Sequence, residues 1–292
     1  MKFWGYIIRS LCFLLSFLPT CFHLILAKIL AFFIIHCSAR AYNRIQTNLL
    51  LTNLADDHNI KQLAQRTVLH FCLTIVEMLL LVWTHRYKDQ NIMIDDDSDA
   101  ILKNCSQQKT LFISPHLGNF QLASHYITNH YQIKIQILYK PTKIKILNWL
   151  MKKGLEKDGV KLCSVTNKKE ILRTIKNFKN GIPSIGMLPD AISAQNNGVW
   201  VNFFKQPIFS TSLAGNLSLM SNTKVCLIFC VRNDSGHQVF AQELINQKRK
   251  TNITVQEQVQ LIYQHIEVMV KKYPNQYYWS YDRFRIPKYI KS

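Results

Sequence analysis

Acidic residues are scarce in this chain: 17 Asp and Glu stand against 36 Lys and Arg, a formal charge of +19 over 292 residues. That deficit implies an anionic partner, and phospholipid headgroups, a phosphorylated lipid, an acidic carrier protein and nucleic acid all qualify. The basic residues are spread widely and accompany no nucleic-acid-binding motif, so no nucleic-acid partner is expected. Paired CxxC spacing is missing too. The 8 cysteines (Cys12, Cys21, Cys37, Cys72, Cys105, Cys163, Cys226 and Cys230) are scattered singly, with no histidine cluster to complete a zinc site. They read as small buried hydrophobes in a reducing compartment, and neither a metal nor a cofactor is expected. No GxSxG string supplies the nucleophile elbow of a serine hydrolase. The acids Asp95, Asp96, Asp97 and Asp99 lack the glycine and terminal glutamate of a calcium loop, and read as a solvated turn. There is no internal repeat or low-complexity segment, and the length fits one large α/β domain behind a membrane-associated amino-terminal region.

Residues 3–35 are strongly apolar, and Ser10–Ala27 carries no formal charge, long enough for a bilayer-spanning or deeply inserted helix kinked at Pro19. A cleavable signal peptide competes, because Lys2 and Arg9 precede the run and small residues follow at Ser38–Ala41. The length of the run, Lys28 within it and Arg40 and Arg44 after it favour an uncleaved anchor over residues 1–40, leaving 41–292 as the α/β domain. From Asn43 to Trp83 apolar residues recur at helical spacing, and Glu77 is the only formal charge of Val68–Trp83.

Beyond this pair, strand and helix patterns alternate. Strands are expected at about Thr110–Ser114, Ile133–Tyr139, Ile182–Leu188, Val225–Val231 and Gln238–Leu244. Helices are expected at about Asn119–Asn129, Ile144–Leu155, Lys168–Lys179 and Val255–Lys272. The alternation predicts a largely parallel mixed sheet flanked by helices. His116 then sits just past the carboxyl end of a buried strand, where open α/β sheets place their ligands, and Gly118-Asn119 lets the chain turn beyond it. A histidine there suits general-base work if its other ring nitrogen is held by an orienting group.

The string HLGNFQLA resembles the His-x4-Asp/Glu motif of glycerolipid acyltransferases, and most of all the HxGNxE version in the lauroyl and myristoyl acyltransferases of bacterial lipid A synthesis. Further matches follow in order: Tyr139-Lys140-Pro141, Pro189-Asp190, the block Val201–Phe204 with Ser210–Gly215, and Trp279 with Arg283-Phe284. The resemblance implies a glycerolipid acyltransferase-like fold on the cytoplasmic side of the bacterial inner membrane, with a strand over Gly198–Phe204 and a helix over Thr211–Met220. It implies O-acyl transfer from an acyl-carrier-protein thioester to the hydroxyl of a 3-hydroxyacyl chain on an anionic lipid A precursor, with His116 as general base. Asn119, Lys140, Asp190, Arg232 and Arg283 are the residues it places on substrate, and Glu77 matches a glutamate of the corresponding family helix.

One position departs from the motif. Gln121 stands where the acid is expected; its amide oxygen can accept a hydrogen bond from the imidazole, but it carries no charge to stabilise an imidazolium. Asp190 either makes up for the missing carboxylate or holds its own loop through backbone N–H groups. The start of the Thr211 helix either caps itself through Ser210, Thr211 and Ser212 or offers N–H groups to a phosphate or an oxyanion. Three readings stay open: an acyltransferase that works with Gln121 or borrows Asp190, a relative with a different acceptor, and a non-catalytic lipid-binding relative.

Overall fold

The computed structural model describes residues 7, 10, 13–14 and 17–286, apart from 84–90, 143–144, 157–158, 182–183, 194–197 and 245–252. Most of the expected anchor before Pro19, Lys2 and Arg9 included, lies outside the described residues, as do the first residues expected for the strand at Ile182 and the helix at Ile144.

Among the described residues three complete helices lead into the sheet: α1 (Thr20–Cys37), α2 (Ala39–Leu51) and α3 (Ile60–Trp83). Pro19 is the residue from which α1 starts, as suits a side chain that fixes φ and lacks an N–H; most of the segment expected to kink there lies outside the described residues. The sharp bend comes later, at Ser38, where α1 and α2 meet at 92°. Alternate with these follow β1 (Ile92–Ile94), α4 (Asp96–Ser106), β2 (Thr110–Ile113), α5 (Phe120–His130), β3 (Ile135–Tyr139), α6 (Lys145–Leu155), β4 (Val160–Ser164), α7 (Lys168–Lys179) and β5 (Ser184–Met187). The hairpin β6 (Gly198–Phe203) and β7 (Gln206–Thr211), the short α8 (Leu213–Ser218), β8 (Lys224–Asn233), β9 (Gly236–Glu243) and α9 (Val255–Lys272) follow, and then a 3-10 turn at Pro274–Gln276.

Seven strands form one sheet in the order β1-β9-β8-β2-β5-β3-β4. Every neighbouring pair is parallel except β8 with β9. Both faces are covered, as parallel sheets require. The strands alternate accordingly: Val225, Leu227, Phe229 and Val231 of β8 join the core beneath α1–α3 and α9, while Cys226, Ile228 and Cys230 join the core beneath α4 and α5. Ala27 and Ala31 of α1 pack into the first of these cores with Leu49 and Val68, and Phe22, Ile25, Ile29, Phe32 and Phe33 on its other side stay exposed. Residues 60–80 of α3 are long and apolar enough to cross a membrane, yet Ala64, Val68, Cys72 and Val76 are buried in the core.

Several local expectations change. The acids at 95–99 do not form a solvated turn: Asp95 caps α4, its Oδ1 accepting from Ser98 N–H at 2.8 Å, and the others lie in the first turn, where negative charge is favoured. Strand β7 replaces what read as loop and helix start, because Phe204 and Lys205 both adopt left-handed backbone, φ +52° and +59°, and fold β6 back on β7. Neither residue type favours that turn; Phe204 is held there by Glu267, which accepts its N–H at 2.8 Å, and by the ring of Trp279. Among the cysteines Cys21 and Cys37 are exposed rather than buried.

Candidate active site

The site is built by strand register. In the pairing of β2 with β5, Ile113 stands opposite Met187, and Ser114 N–H still donates to Met187 O at 3.0 Å. Each strand then runs on through one residue and a proline, Ser114-Pro115-His116 on one side and Leu188-Pro189-Asp190 on the other. Equal offsets from paired residues bring His116 and Asp190 together at the carboxyl end of the sheet. The chain leaves β2 towards β3 and leaves β5 towards β8, on opposite sides, so the pair occupies the kind of switch point at which α/β folds bind ligands.

The imidazole Nδ1 lies 2.7 Å from Asp190 Oδ1. A carboxylate only accepts, so Nδ1 carries the proton and Nε2 keeps its lone pair. Asp190 is fully buried while the His116 ring keeps 28% of its side-chain surface. Its second oxygen, Oδ2, accepts from His116 N–H at 3.0 Å, from Tyr277 hydroxyl at 2.8 Å and from Arg283 Nη2 at 3.4 Å. Burial alone would raise this carboxyl, but its contacts with the His116 ring and backbone N–H and with the Arg283 guanidinium hold it well below the usual carboxylate range. Asp190 is thus ionised, aligned and fully hydrogen-bonded before any substrate arrives.

The turn after His116 is clamped from three sides. Gly118 has φ +60°, and a Cβ there would lie 2.1 Å from Cys230 O, so only glycine fits. Asn119 caps α5 by accepting from Leu122 N–H at 3.0 Å, and its Nδ2 donates to Glu77 Oε2 at 2.8 Å. Glu77 in turn takes Arg232 Nε on Oε1 at 2.8 Å and lies 3.3 Å from His237 Nε2. Burial would raise Glu77, but Arg232 and His237 bring it down from 4.5 to about 2. Thr74 of α3 adds a hydroxyl bond to Gly118 O at 3.1 Å.

Three residues expected on substrate are held by the protein's own groups. Asn119 is fully buried between α5 and Glu77, Arg232 pairs with Glu77 and Thr74 through Nε and Nη2, and Arg283 is buried against Asp190, Tyr278 O and the ring of Tyr277. Glu77 itself is an ion-pair partner, not a group at the imidazole. At the start of α8 the capping alternative is the one seen: Thr211 Oγ1 accepts from Leu213 N–H at 3.3 Å, while Ser210 is fully buried on Pro189 O.

Gln121 is likewise displaced from its expected role. Its Nε2 donates to Met78 Sδ at 3.1 Å, and the imidazole nitrogen that it was to orient belongs to Asp190. Gln121 faces instead a cavity of about 290 Å³ that opens beside His116, walled by apolar residues such as Phe112, Ile137, Leu162 and Met187, with exposed Lys140 at its edge. The dyad had one sequence signal, the twin pattern of a buried strand, one residue, a proline and then a proton-handling side chain, at Ile113–His116 and Met187–Asp190. Tyr277, which closes the shell of Asp190, had none.

No curated protein matches this sequence. A family does, and along nearly all of its length: the sequence model of the bacterial lipid A biosynthesis acyltransferases aligns with residues 1–286, which makes the chain a member of that family.

Proposed function

We propose that this chain transfers a fatty acyl group from an acyl-carrier-protein thioester to the hydroxyl of a 3-hydroxyacyl chain on a lipid A precursor, with His116 as general base. The observation that carries this reading is the 2.7 Å contact of His116 Nδ1 with Asp190 at the mouth of an apolar cavity. Nε2 takes the hydroxyl proton as the oxygen attacks the thioester carbonyl, and the imidazolium so formed faces an ionised, buried carboxylate. Collapse of the tetrahedral intermediate expels the thiolate, which recovers that proton from Nε2. The cavity receives acyl chain, and Lys140 brings positive charge to its edge, suited to a phosphate or to the developing oxyanion.

The exposed apolar face of α1 and the net charge of +19 support a seat on an anionic membrane, residues 1–40 acting as the anchor of an inner-membrane enzyme whose catalytic part faces the cytoplasm. The inactive, lipid-binding alternative rested on the missing acid at 121, and Asp190 supplies that acid from another strand. The test is direct. Purified protein is given acyl-carrier-protein thioesters and a tetra-acylated lipid A precursor, and the product is weighed by mass spectrometry; one added acyl chain with the wild type and none with His116→Ala is expected. Lipid binding without product from any donor would leave a binding protein on an acyltransferase fold.

A further inference from the structure

The basic residues are spread along the chain, but their excess over acids is not. Residues 140–179 hold 12 Lys and Arg against 3 Asp and Glu, and so carry +9 of the formal +19. They build α6, β4 and α7, and β4 is the last strand of the sheet, so the excess gathers at one edge. Asp95, Asp96, Asp97 and Asp99 stand beside β1, the strand at the opposite edge. A protein with its charge divided in this way meets an anionic partner with the basic edge foremost. Lys161 of β4 is accounted for as protection of an open strand edge. The outer face of α7 has no such explanation. Thr174 and Phe178 bury the inner face of this helix, and Lys168, Leu172 and Lys176, with Lys169 and Arg173 alongside, form exposed rows at i, i+4 spacing on the outer one. Lys103, Lys224 and Lys271 elsewhere each pair with a carboxylate, whereas none of these four cations does so among the described residues. Leu172 lies between them, 66% exposed, the most exposed large apolar side chain among the described residues.

Membrane lipid is a poor occupant for this face. A helix seated in a bilayer presents a row of apolar side chains, as α1 does, and α7 presents one. One apolar anchor ringed by cations suits instead an acidic helix of a protein, whose carboxylates meet the lysines and whose own apolar residue covers Leu172. The same edge walls the cavity beside His116, through Met151 and Leu155 of α6 and Leu162 of β4. A partner held here is therefore beside the cavity into which an acyl chain is to be delivered. The geometry points to the outer face of α7 as the docking surface for the acidic carrier protein that brings the acyl thioester. The inference rests on the donor class proposed above and adds where that donor binds.

The test uses the full chain in a neutral detergent and, as probe, a purified acyl-carrier protein with its prosthetic arm, titrated at low and at physiological salt. Wild type is expected to bind it, and more weakly at the higher salt. Lys168→Glu with Lys169→Glu and Arg173→Glu is expected to raise the dissociation constant at least about tenfold. Lys61→Glu with Arg66→Glu and Lys205→Glu, the same change in net charge at exposed sites of α3 and the β6–β7 turn, leaves it within about twofold at physiological salt. Leu172→Ser raises it about tenfold at both salts, because an apolar contact is lost and not a charge. No binding by wild type overturns the inference, as do equal losses in the two triple variants. It is overturned too if the α7 triple variant binds the carrier as wild type does and no longer co-sediments with phosphatidylglycerol vesicles, which would give the face to lipid. The KM for the carrier thioester in acyl transfer is measured alongside. Carrier binding without transfer removes the proposed reaction and keeps the docking face; transfer whose KM does not move in the α7 triple variant does the reverse.

Discussion

Asp190→Asn is the substitution that separates the two candidates for orienting His116. The carboxylate uses its oxygens unequally. Oδ2 faces three donors, His116 N–H, Tyr277 hydroxyl and Arg283 Nη2, whereas Oδ1 faces Nδ1 alone. An asparagine in this place keeps its carbonyl oxygen towards the three donors, which leaves its NH₂ pointing at Nδ1. The imidazole must then accept at Nδ1 and carry its proton on Nε2, so the base is protonated at the atom that has to take a proton. Loss of the charge that stabilises the imidazolium adds to this. In a serine-protease triad the comparable change costs about 10⁴ in kcat, and a fall of roughly that size is expected in acyl transfer followed by mass spectrometry, with KM little changed. Arg283 also loses its ionic partner while 1% exposed, so folding is checked by circular dichroism first. A folded Asp190→Asn protein that retains about a tenth of wild-type kcat would refute the assignment.

Other consequences follow from the scaffold around the turn. Gly118→Ala places a Cβ against Cys230 O in a left-handed conformation, and should cost roughly 3 kcal/mol or more, read as a drop in the urea midpoint. Glu77→Gln strands the Arg232 charge inside the protein and should cost about 3–5 kcal/mol. Glu77 also sets a pH dependence: its folded pKa of about 2 lies below the ordinary 4.5, so its stabilising contribution is whole above pH 4.5 and is lost as the pH falls towards 2. Urea midpoints between pH 7 and pH 3 should fall more steeply in wild type than in Glu77→Gln. Phe32→Asp with Phe33→Asp, on the exposed face of α1, should lower co-sedimentation with anionic vesicles at least about tenfold, because seating one carboxylate in a bilayer costs about 2.5–3.5 kcal/mol.

The helices with long periodic patterns were legible in the chain, and α7 and α9 begin and end at the residues that their patterns mark. So was His116 at a strand end. What could not be read was the pairing of β2 with β5, which brings together residues 74 positions apart, such as His116 and Asp190, and arises only because β3 is placed beyond β5. Without that neighbour relation, Gln121, five positions from His116, looks like the natural partner, and Asp190 looks like a loop acid. The same limit applies to Arg232 and Arg283. Both look like free cations in the sequence, yet strands and helices distant in the chain bring Glu77 and Asp190 to meet them. Strand β7 was missed for a different reason, since packing of Phe204 against Glu267 and Trp279 enforces a turn its own residues do not favour. The tight glycine at 118 and the cap at Asn119 were, by contrast, local and visible.

The proton on His116 Nδ1 reports on the His116–Asp190 contact itself. Nitrogen NMR of protein with isotope-labelled histidine reports which ring nitrogen of His116 is protonated, the resonance being assigned by its loss in His116→Ala. A protonated Nδ1 with a strongly hydrogen-bonded, low-field proton is expected in wild type and in Gln121→Met, and its loss in Asp190→Asn. A signal that survives in Asp190→Asn and disappears in Gln121→Met would contradict it, and would return the orienting role to position 121.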